Sequence, residues 1–333
     1  MDINSMKSIN IIHISKTPLV GAPGTLSKYL NYIENFNSIH FTLNEYPEQL
    51  RFFFTKNSVH LDLKNKLLKN LFTECIQNAD IIHIHNDVDN PEVIDILMNN
   101  QANKSFIYQI HSPYREPPIF INKSKDLPFR FTKKLVIAQV HPRLYPDFEI
   151  VPNIVDFNPT KTVISRLNEK VRILFAPSHK RTKGVIFSTK FTENQEDIFN
   201  KVCKDDKFEL INIDKPIAPN VLAEIRKRSD ISIDEIATGG FHQVSYEALA
   251  CGNIVVNNAD LFSKEIFANA IQADELPPFV RACDQSLWET LQFLKNNEQY
   301  LLNKRQESLD YFIKYMMPLR LVQRFVQKYK EVL

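Results

Sequence analysis

Between Asp230 and Val256 the chain reads DISIDEIATGGFHQVSYEALACGNIVV, and most of the groups able to handle a charged ligand lie within it. Gly239 and Gly240 are the only adjacent glycines among the six in the chain. They separate a short apolar strand ending at Asp234 and Glu235 from a helix-forming run, Gln243 to Ala250. A glycine turn running into a helix offers unpaired amides and the positive end of the helix dipole. The amides of Gly240, Phe241, His242, Gln243 and Val244 are therefore candidates to hold a phosphate-type anion. Glu247, further along the helix, is a carboxylate able to accept hydrogen bonds from a sugar diol. An ordinary strand–turn–helix crossover produces the same pattern.

Two other groups bear on chemistry. Pro177 to Gly184, PSHKRTKG, concentrates Lys180, Arg181 and Lys183, cations suited to neutralising a diphosphate as a bond to it breaks, or simply a surface charge cluster. His83 and His85 share one face of a strand, as a metal pair would. No third ligand stands near them in sequence, so no metal is expected and His83 reads as structural. His111 ends another strand, just before Ser112 and Pro113, where a parallel sheet opens towards its ligand. Asp87-Val88-Asp89 precedes Asn90-Pro91, and acids that cap a helix account for it.

These groups need a scaffold that gathers strand ends, and the apolar pattern supplies it. Strand-length runs occur at Ile9–Ile14, Ile39–Leu43, Ile81–His85, Phe106–His111 and Leu135–Val140, with helical patterns at Leu61–Ile76 and Pro91–Met98. The alternation restarts with strands at Val171–Ala176, Phe208–Ile213 and Ile254–Val256, and helices at Glu193–Cys203 and Asn220–Arg228. The fold class expected is α/β, with two Rossmann-like units facing across a cleft. A length of 333 residues suits two domains. The boundaries expected are 1–159, 160–310 and a C-terminal helix, 311–333, whose apolar stripe (Leu321, Val322, Phe325, Val326, Tyr329) packs back on the body. After the first strand, Gly21 and Gly24 fit either a ligand loop of a Rossmann-like opening or a plain turn into the helix Thr25–Glu34.

Apolar content of 44% and charged content of 24% are those of a globular protein, and a net charge of +2 argues against coating of nucleic acid. No apolar run approaches the roughly 20 residues that span a bilayer. The start, MDINSMKSINIIHI, lacks the pattern of a signal peptide. Four scattered cysteines without CxxC spacing fit free thiols, and the location expected is cytoplasmic. Residues 122–134, NKSKDLPFRFTKK, interleave cations with Phe129 and Phe131. They read as a solvated loop or as a patch resting on anionic headgroups at the inner face of a membrane.

The segment GGFHQVSYEALACGNIVV resembles the EGFGLVLLEAMACGxPVV stretch of retaining glycosyltransferases with the GT-B fold, in particular glycosyltransferase family 4. ADIIHIHN, IYQIHSPYREPP and the junction FEIVPNIVDFNP are similar to other segments of that family. FAPSHKRTKG is similar to a branch with HAPSxxxxKG. The resemblance implies transfer of a sugar from a nucleotide-sugar, itself a substrate, to a glycan, lipid-linked or protein acceptor, with retention and with neither cofactor nor metal. It implies Glu247 on the ribose, the loop amides and Lys183 on the diphosphate, His111 against the donor sugar, and a first loop, matched loosely by Gly21 and Gly24, touching donor or acceptor. The family's first loop glutamate is Gly239 here, and its arginine falls near Ser178 or His179, leaving Lys180 or Arg181 to substitute. Two other readings accompany it: a catalytically silent partner of an active transferase, and a sugar-nucleotide epimerase of the same fold.

Overall fold

The computed structural model describes residues 8–44, 57–111, 119–163, 169–177, 192–215 and 217–333. The first half builds β1 (Ile9–Ser15), α1 (Ala22–Leu30), β2 (Phe36–Thr42), β3 (Ser58–His60), α2 (Lys66–Asn78), β4 (Ile81–His85), α3 (Pro91–Asn99), β5 (Ser105–Ile110), α4 (Ile119–Asp126), β6 (Phe131–Ile137) and β7 (Glu149–Val151). Its strands form one parallel sheet in the order β3-β2-β1-β4-β5-β6-β7. The order reverses between β1 and β4, where the connections leave to opposite faces and a crevice opens at the strands' carboxyl ends.

The second half builds β8 (Val171–Phe175), α5 (Glu193–Lys204), β9 (Phe208–Asn212), α6 (Pro219–Lys227), β10 (Ile231–Ile233), α7 (Gln243–Ala250), β11 (Ile254–Asn257), α8 (Leu261–Ile271) and β12 (Val280–Arg281). They form a second parallel sheet, β12-β11-β10-β8-β9, whose reversal falls between β8 and β10. Helices α9 (Leu287–Asn296), α10 (Glu298–Tyr311) and α11 (Pro318–Lys330) follow. Pro318 starts α11 after a π-helical turn at Phe312–Met316, and Leu321, Val322, Phe325, Val326 and Tyr329 are all buried. The last helix returns to the first sheet. There Tyr329 Oη meets His83 Nδ1 at 2.8 Å, Ser105 Oγ donates to the Val332 carbonyl at 2.5 Å, and Lys133 pairs with Glu331 at 2.7 Å.

Local chemistry shifts several expected boundaries. The helix expected from Leu61 begins only at Lys66, because Asn65 caps it by accepting from the Leu67 and Leu68 amides, and the chain before it pairs as β3. Asn90, not the acids before it, caps α3. Asp89 instead pairs with Lys16, and Asp87 with Lys123 at 3.5 Å. The stretch 122–134 is no solvated loop, since it closes α4 and opens β6. Phe129, 6% exposed, stacks on Phe106 at 4.7 Å, and Phe131 packs on Tyr108 at 5.2 Å. With its aromatic rings turned into the core, that patch has none to insert into a membrane. No helix among the described residues is long and apolar enough to cross one.

Candidate functional site

At the carboxyl edge of the second sheet, β10 runs into Asp234 and Glu235, both buried, and the turn to α7. Gly239 sits at φ +80°, a conformation that costs an L-residue about 1–2 kcal/mol. A side chain there would head for the Asp260 carboxylate, 3.4 Å from the Cβ position. A carboxylate thus stands beside Gly239 after all, supplied by the residue that caps α8 and bridged to Arg143 of the first lobe. Burial pushes the Asp260 carboxyl up, but Arg143 and the Ser263 amide more than offset it and hold it below the ordinary range.

Not every amide of the turn is free for an anion. Glu235 accepts from the Ala237 amide at 2.6 Å and from the amide and hydroxyl of Thr238. The His242 amide donates to Asp234 at 2.6 Å, Ser245 Oγ donates to the same oxygen at 2.8 Å, and the His242 ring lies 3.2 Å from the other. His242 is therefore removed from the set of amide donors, because a carboxylate of the chain itself has taken its N–H. The Phe241 side chain is buried in an aromatic cluster with Tyr246, Phe267 and Phe279, which anchors the turn. The amides of Gln243 and Val244 head α7, where no carbonyl of the helix reaches them. Glu247 is 21% exposed; it accepts from Gln243 Nε2 at 3.0 Å and is ion-paired with Arg226, itself only 1% exposed. Arg226 Nε and Nη2 have no partner among the described residues.

The first sheet answers with imidazoles. Ile11–Ile14 and Ile81–Ile84 are the same tetrapeptide, IIHI, and pair in register, which sets His13 beside His83 and Ser15 beside His85 at the β1/β4 reversal. His40 is the register partner of His13 on its other side. His13 Nδ1 meets His85 Nε2 at 2.9 Å, and His85 Nδ1 meets His111 Nε2 at 2.9 Å. The His111 amide donates to Asn86 Oδ1 at 2.6 Å. Burial lowers the pKa of every one of these rings, to about 3 for His40 and for His111, where Asn153 opposes the shift. A ring nitrogen of each of His13, His83 and His85 lies within 4.8 Å of the others, so the structure does bring a third candidate to the pair. Both nitrogens of His85 are already hydrogen-bonded, and a metal would have to break one of those bonds.

The two edges meet. Val140 Cβ lies 3.0 Å from where a Cβ on Gly240 would be, Tyr246 Oη donates to the Ala138 carbonyl at 3.4 Å, and Arg143 pairs with Asp260. His141, between Val140 and Arg143 in sequence, is 2% exposed with no partner on either ring nitrogen among the described residues. Burial, reinforced by His242 and His111, takes its pKa down to about 3. Gly21 caps α1 and Gly24 lies in its first turn, both buried. The chain leaves β8 after Phe175, the register partner of Ile233, and Pro177 is the last residue described there. Lys180, Arg181, Lys183 and Gly184 lie outside the described residues. A surface concavity of about 320 Å³ lined by Glu169, Lys295, Glu298 and Arg305 sits at the amino ends of β8 and β10, away from these groups.

No protein-family model and no curated protein matches the sequence. Solved structures do match over nearly their whole length. An alpha-glucosyltransferase in complex with UDP and a 13-mer DNA superposes with a TM-score of 0.64 at 11% identity, covering 98% of this chain and 100% of the other. Anabaena HepE in complex with UDP and glucose gives 0.60 at 12%, covering 97% and 99%. A UDP-N-acetylglucosamine 2-epimerase gives 0.53 at 10%, covering 97% and 96%. This is the GT-B fold. In GT-B terms, the turn Gly239–Val244 belongs to the second lobe and the histidine layer to the first.

Sequence reasoning missed Asp234, Glu235 and Asp260 as the carboxylates that fix the turn, Arg226 behind Glu247, and His13 and His141. The repeated IIHI was a readable signal for the histidine layer. Nothing local marks Arg226, whose partner is 21 residues away on another helix.

Proposed function

We propose that this GT-B protein is a glycosyltransferase moving a sugar from a nucleotide-sugar to an acceptor hydroxyl. The observation that supports it most is the placement of the α7 turn. Free helix amides with Glu247 behind them lie at the carboxyl edge of the second sheet, against the first lobe's Val140, near the rim that carries His111. Glu247 takes the ribose. The amides of Gly240, Gln243 and Val244, with Lys183 and either Lys180 or Arg181, take the diphosphate. His111 touches the donor sugar. The bond from the sugar's anomeric carbon to the diphosphate breaks, its electron pair leaves on the diphosphate oxygen, and the acceptor oxygen forms the new bond while its proton passes to the departing diphosphate. Lysine and amide charge serve here without a metal ion, and the anomeric configuration is retained. UDP in the structural neighbours makes uridine the first base to try. Cytoplasmic synthesis of a surface glycan or glycoconjugate is the setting proposed.

A panel of UDP, GDP, ADP and dTDP and their sugars, read by thermal shift, tests it, because a ligand at 100 times its Kd adds about 2.7 kcal/mol to stability. We expect one diphosphate to raise the melting temperature, and Glu247→Gln to abolish that rise while still melting cooperatively, a few degrees below the unaltered protein without ligand. No rise with any of the four at millimolar concentration would sink the reading. The epimerase neighbour supports a second reading, in which the donor's sugar is converted with no acceptor present. Product analysis without acceptor separates the two, and binding without any turnover points to a silent partner.

A further inference from the structure

The reversal between β1 and β4 puts three imidazoles on one sheet face, two along one strand and one across. His83 and His85 stand two apart on β4, and His13 is the register partner of His83 on β1. All three are wholly buried, and burial keeps each ring neutral, with a lone pair to give, at neutral pH. One nitrogen from each lies within 4.8 Å of the others. Three imidazoles on a tetrahedral ion, with metal–nitrogen bonds of about 2.0–2.1 Å, carry their ring centroids about 5 Å apart. The spacings here are 5.1 Å for His13–His83, 5.2 Å for His13–His85 and 4.0 Å for His83–His85.

The surroundings suit an ion as well. A coordinating histidine ordinarily uses its other nitrogen in a hydrogen bond that fixes the ring. His83 Nδ1 meets Tyr329 Oη at 2.8 Å and His85 Nδ1 meets His111 Nε2 at 2.9 Å, which leaves Nε2 of each for an ion. His83 Nε2 is buried without a partner among the described residues, and so is His13 Nε2. Gln109, beside His85 in register on β5, has neither its side-chain oxygen nor its nitrogen partnered there. Buried polar atoms rarely go unmet, and a bound ion or water accounts for such a gathering.

We propose that His13, His83 and His85 bind a zinc ion that staples β1 to β4 beneath the C-terminal helix. Three neutral nitrogens, with neither thiolate nor carboxylate in the group, suit zinc and not magnesium or calcium. His13 Nδ1 and His85 Nε2 share a hydrogen bond of 2.9 Å. Its proton passes to the other nitrogen of its own ring, and both lone pairs turn to the ion. Each ring stays neutral and no proton is released. A water completes the four ligands, with the Gln109 amide as its polar neighbour. The ion takes no part in the sugar transfer proposed above, and its test needs no nucleotide.

The untagged full chain, grown with zinc and passed through gel filtration in EDTA to strip surface metal, is measured for metal by mass spectrometry. One zinc per chain is expected, retained because the rings are sealed from solvent and released when guanidinium unfolds the protein. Zinc-edge X-ray absorption should then show three imidazole nitrogens at about 2.0–2.1 Å and no sulfur. Protein refolded in EDTA should melt several degrees below protein refolded with zinc, since an ion that binds only the folded state stabilises it. His13→Gln should lose most of the zinc; if that variant does not fold, the absorption spectrum of the parent decides the ligands. A chain that keeps no zinc, and melts at one temperature whether refolded with or without it, overturns the site. So does a zinc ion with sulfur neighbours, or with fewer than three imidazoles.

Discussion

The two strand edges that face each other across the lobes are built from opposite chemistry. The first lobe's edge is a layer of neutral rings, His13, His40, His83, His85 and His111, held at the β1/β4 reversal by one another and by Tyr329. The second lobe's edge is a set of carboxylates, Asp234, Glu235, Glu247 and Asp260, each with an amide, hydroxyl or guanidinium partner. Carboxylates hold a turn in one shape, since hydrogen bonds to an ionised group are stronger than neutral ones. Neutral rings carry no charge to be repaid when a diphosphate arrives, yet each has a donor and an acceptor whose roles neighbours can set. Under the function proposed above, the carboxylate edge would suit the shaping of an anion site and the ring edge would suit the uncharged part of a ligand.

Acid should break this contrast with the largest effect. The buried rings have folded pKa values below the unfolded value near 6.5, so below that pH the unfolded chain binds more protons than the native one and stability falls. Above pH 6.5 their contribution is complete; it is lost as pH drops from about 6.5 towards 3. Each ring with a pKa of about 3, such as His40 at 1% exposure or His141 at 2%, costs about 1.4 kcal/mol per pH unit through that window. Thermal melts at pH 7.5, 6.5, 5.5 and 4.5 should show a fall that steepens below 6.5. A melting temperature flat to pH 5 would mean that the rings are not buried neutral.

Glu247 tests the other edge. Removing it takes the only ion-pair partner seen among the described residues from a guanidinium that is 1% exposed, and breaking one side of a buried pair costs about 3–5 kcal/mol. Glu247→Ala should therefore lose stability as well as ligand and cannot serve alone as a probe of binding. Glu247→Gln, which keeps an acceptor for Arg226, should cost about 1–2 kcal/mol. Urea titrations of both variants check this. Equal stability of Glu247→Ala and the parent would show that Arg226 has another partner and that Glu247 is not fixed by it.

The architecture was legible because its causes are local. Apolar runs of strand length alternating with helical spacing give a parallel sheet whatever the ligand, and helix α7 and strand β4 have the ends expected for them. The glycine turn was legible for the same reason, as two adjacent glycines mark a point where backbone must turn or come close. Which amides stay free was not, because that depends on Asp234 and Glu235 folding back on the turn that follows them. His83 and His85 looked like a pair without a third member because His13 is 70 residues from His83 in sequence and adjacent only through strand register. The 122–134 stretch misled because alternating cations and aromatics describe a membrane patch and the lead into a sheet strand equally well until burial of Phe129 decides.

The contact between the edges should be the weakest term, and it sharpens the comparison by separating packing from charge. Gly240 lies where an added Cβ would be 3.0 Å from Val140 Cβ and 3.2 Å from its Cγ1. Gly240→Ala thus acts as a wedge between the lobes, worth about 1–3 kcal/mol, and Val140→Ala should recover part of it if the clash is the cause. The Arg143–Asp260 pair spans the same gap with side chains 29% and 31% exposed, so solvent screens it, and Arg143→Ala should cost about 1 kcal/mol or less. If instead the charge pair held the lobes together, Arg143→Ala would exceed Gly240→Ala and the difference would shrink in salt. The double-mutant cycle of Gly240→Ala with Val140→Ala, run at low and high salt, distinguishes these. A coupling that is large and indifferent to salt assigns the approach of the lobes to shape, which leaves the charges of the second edge free to act on whatever lies between them.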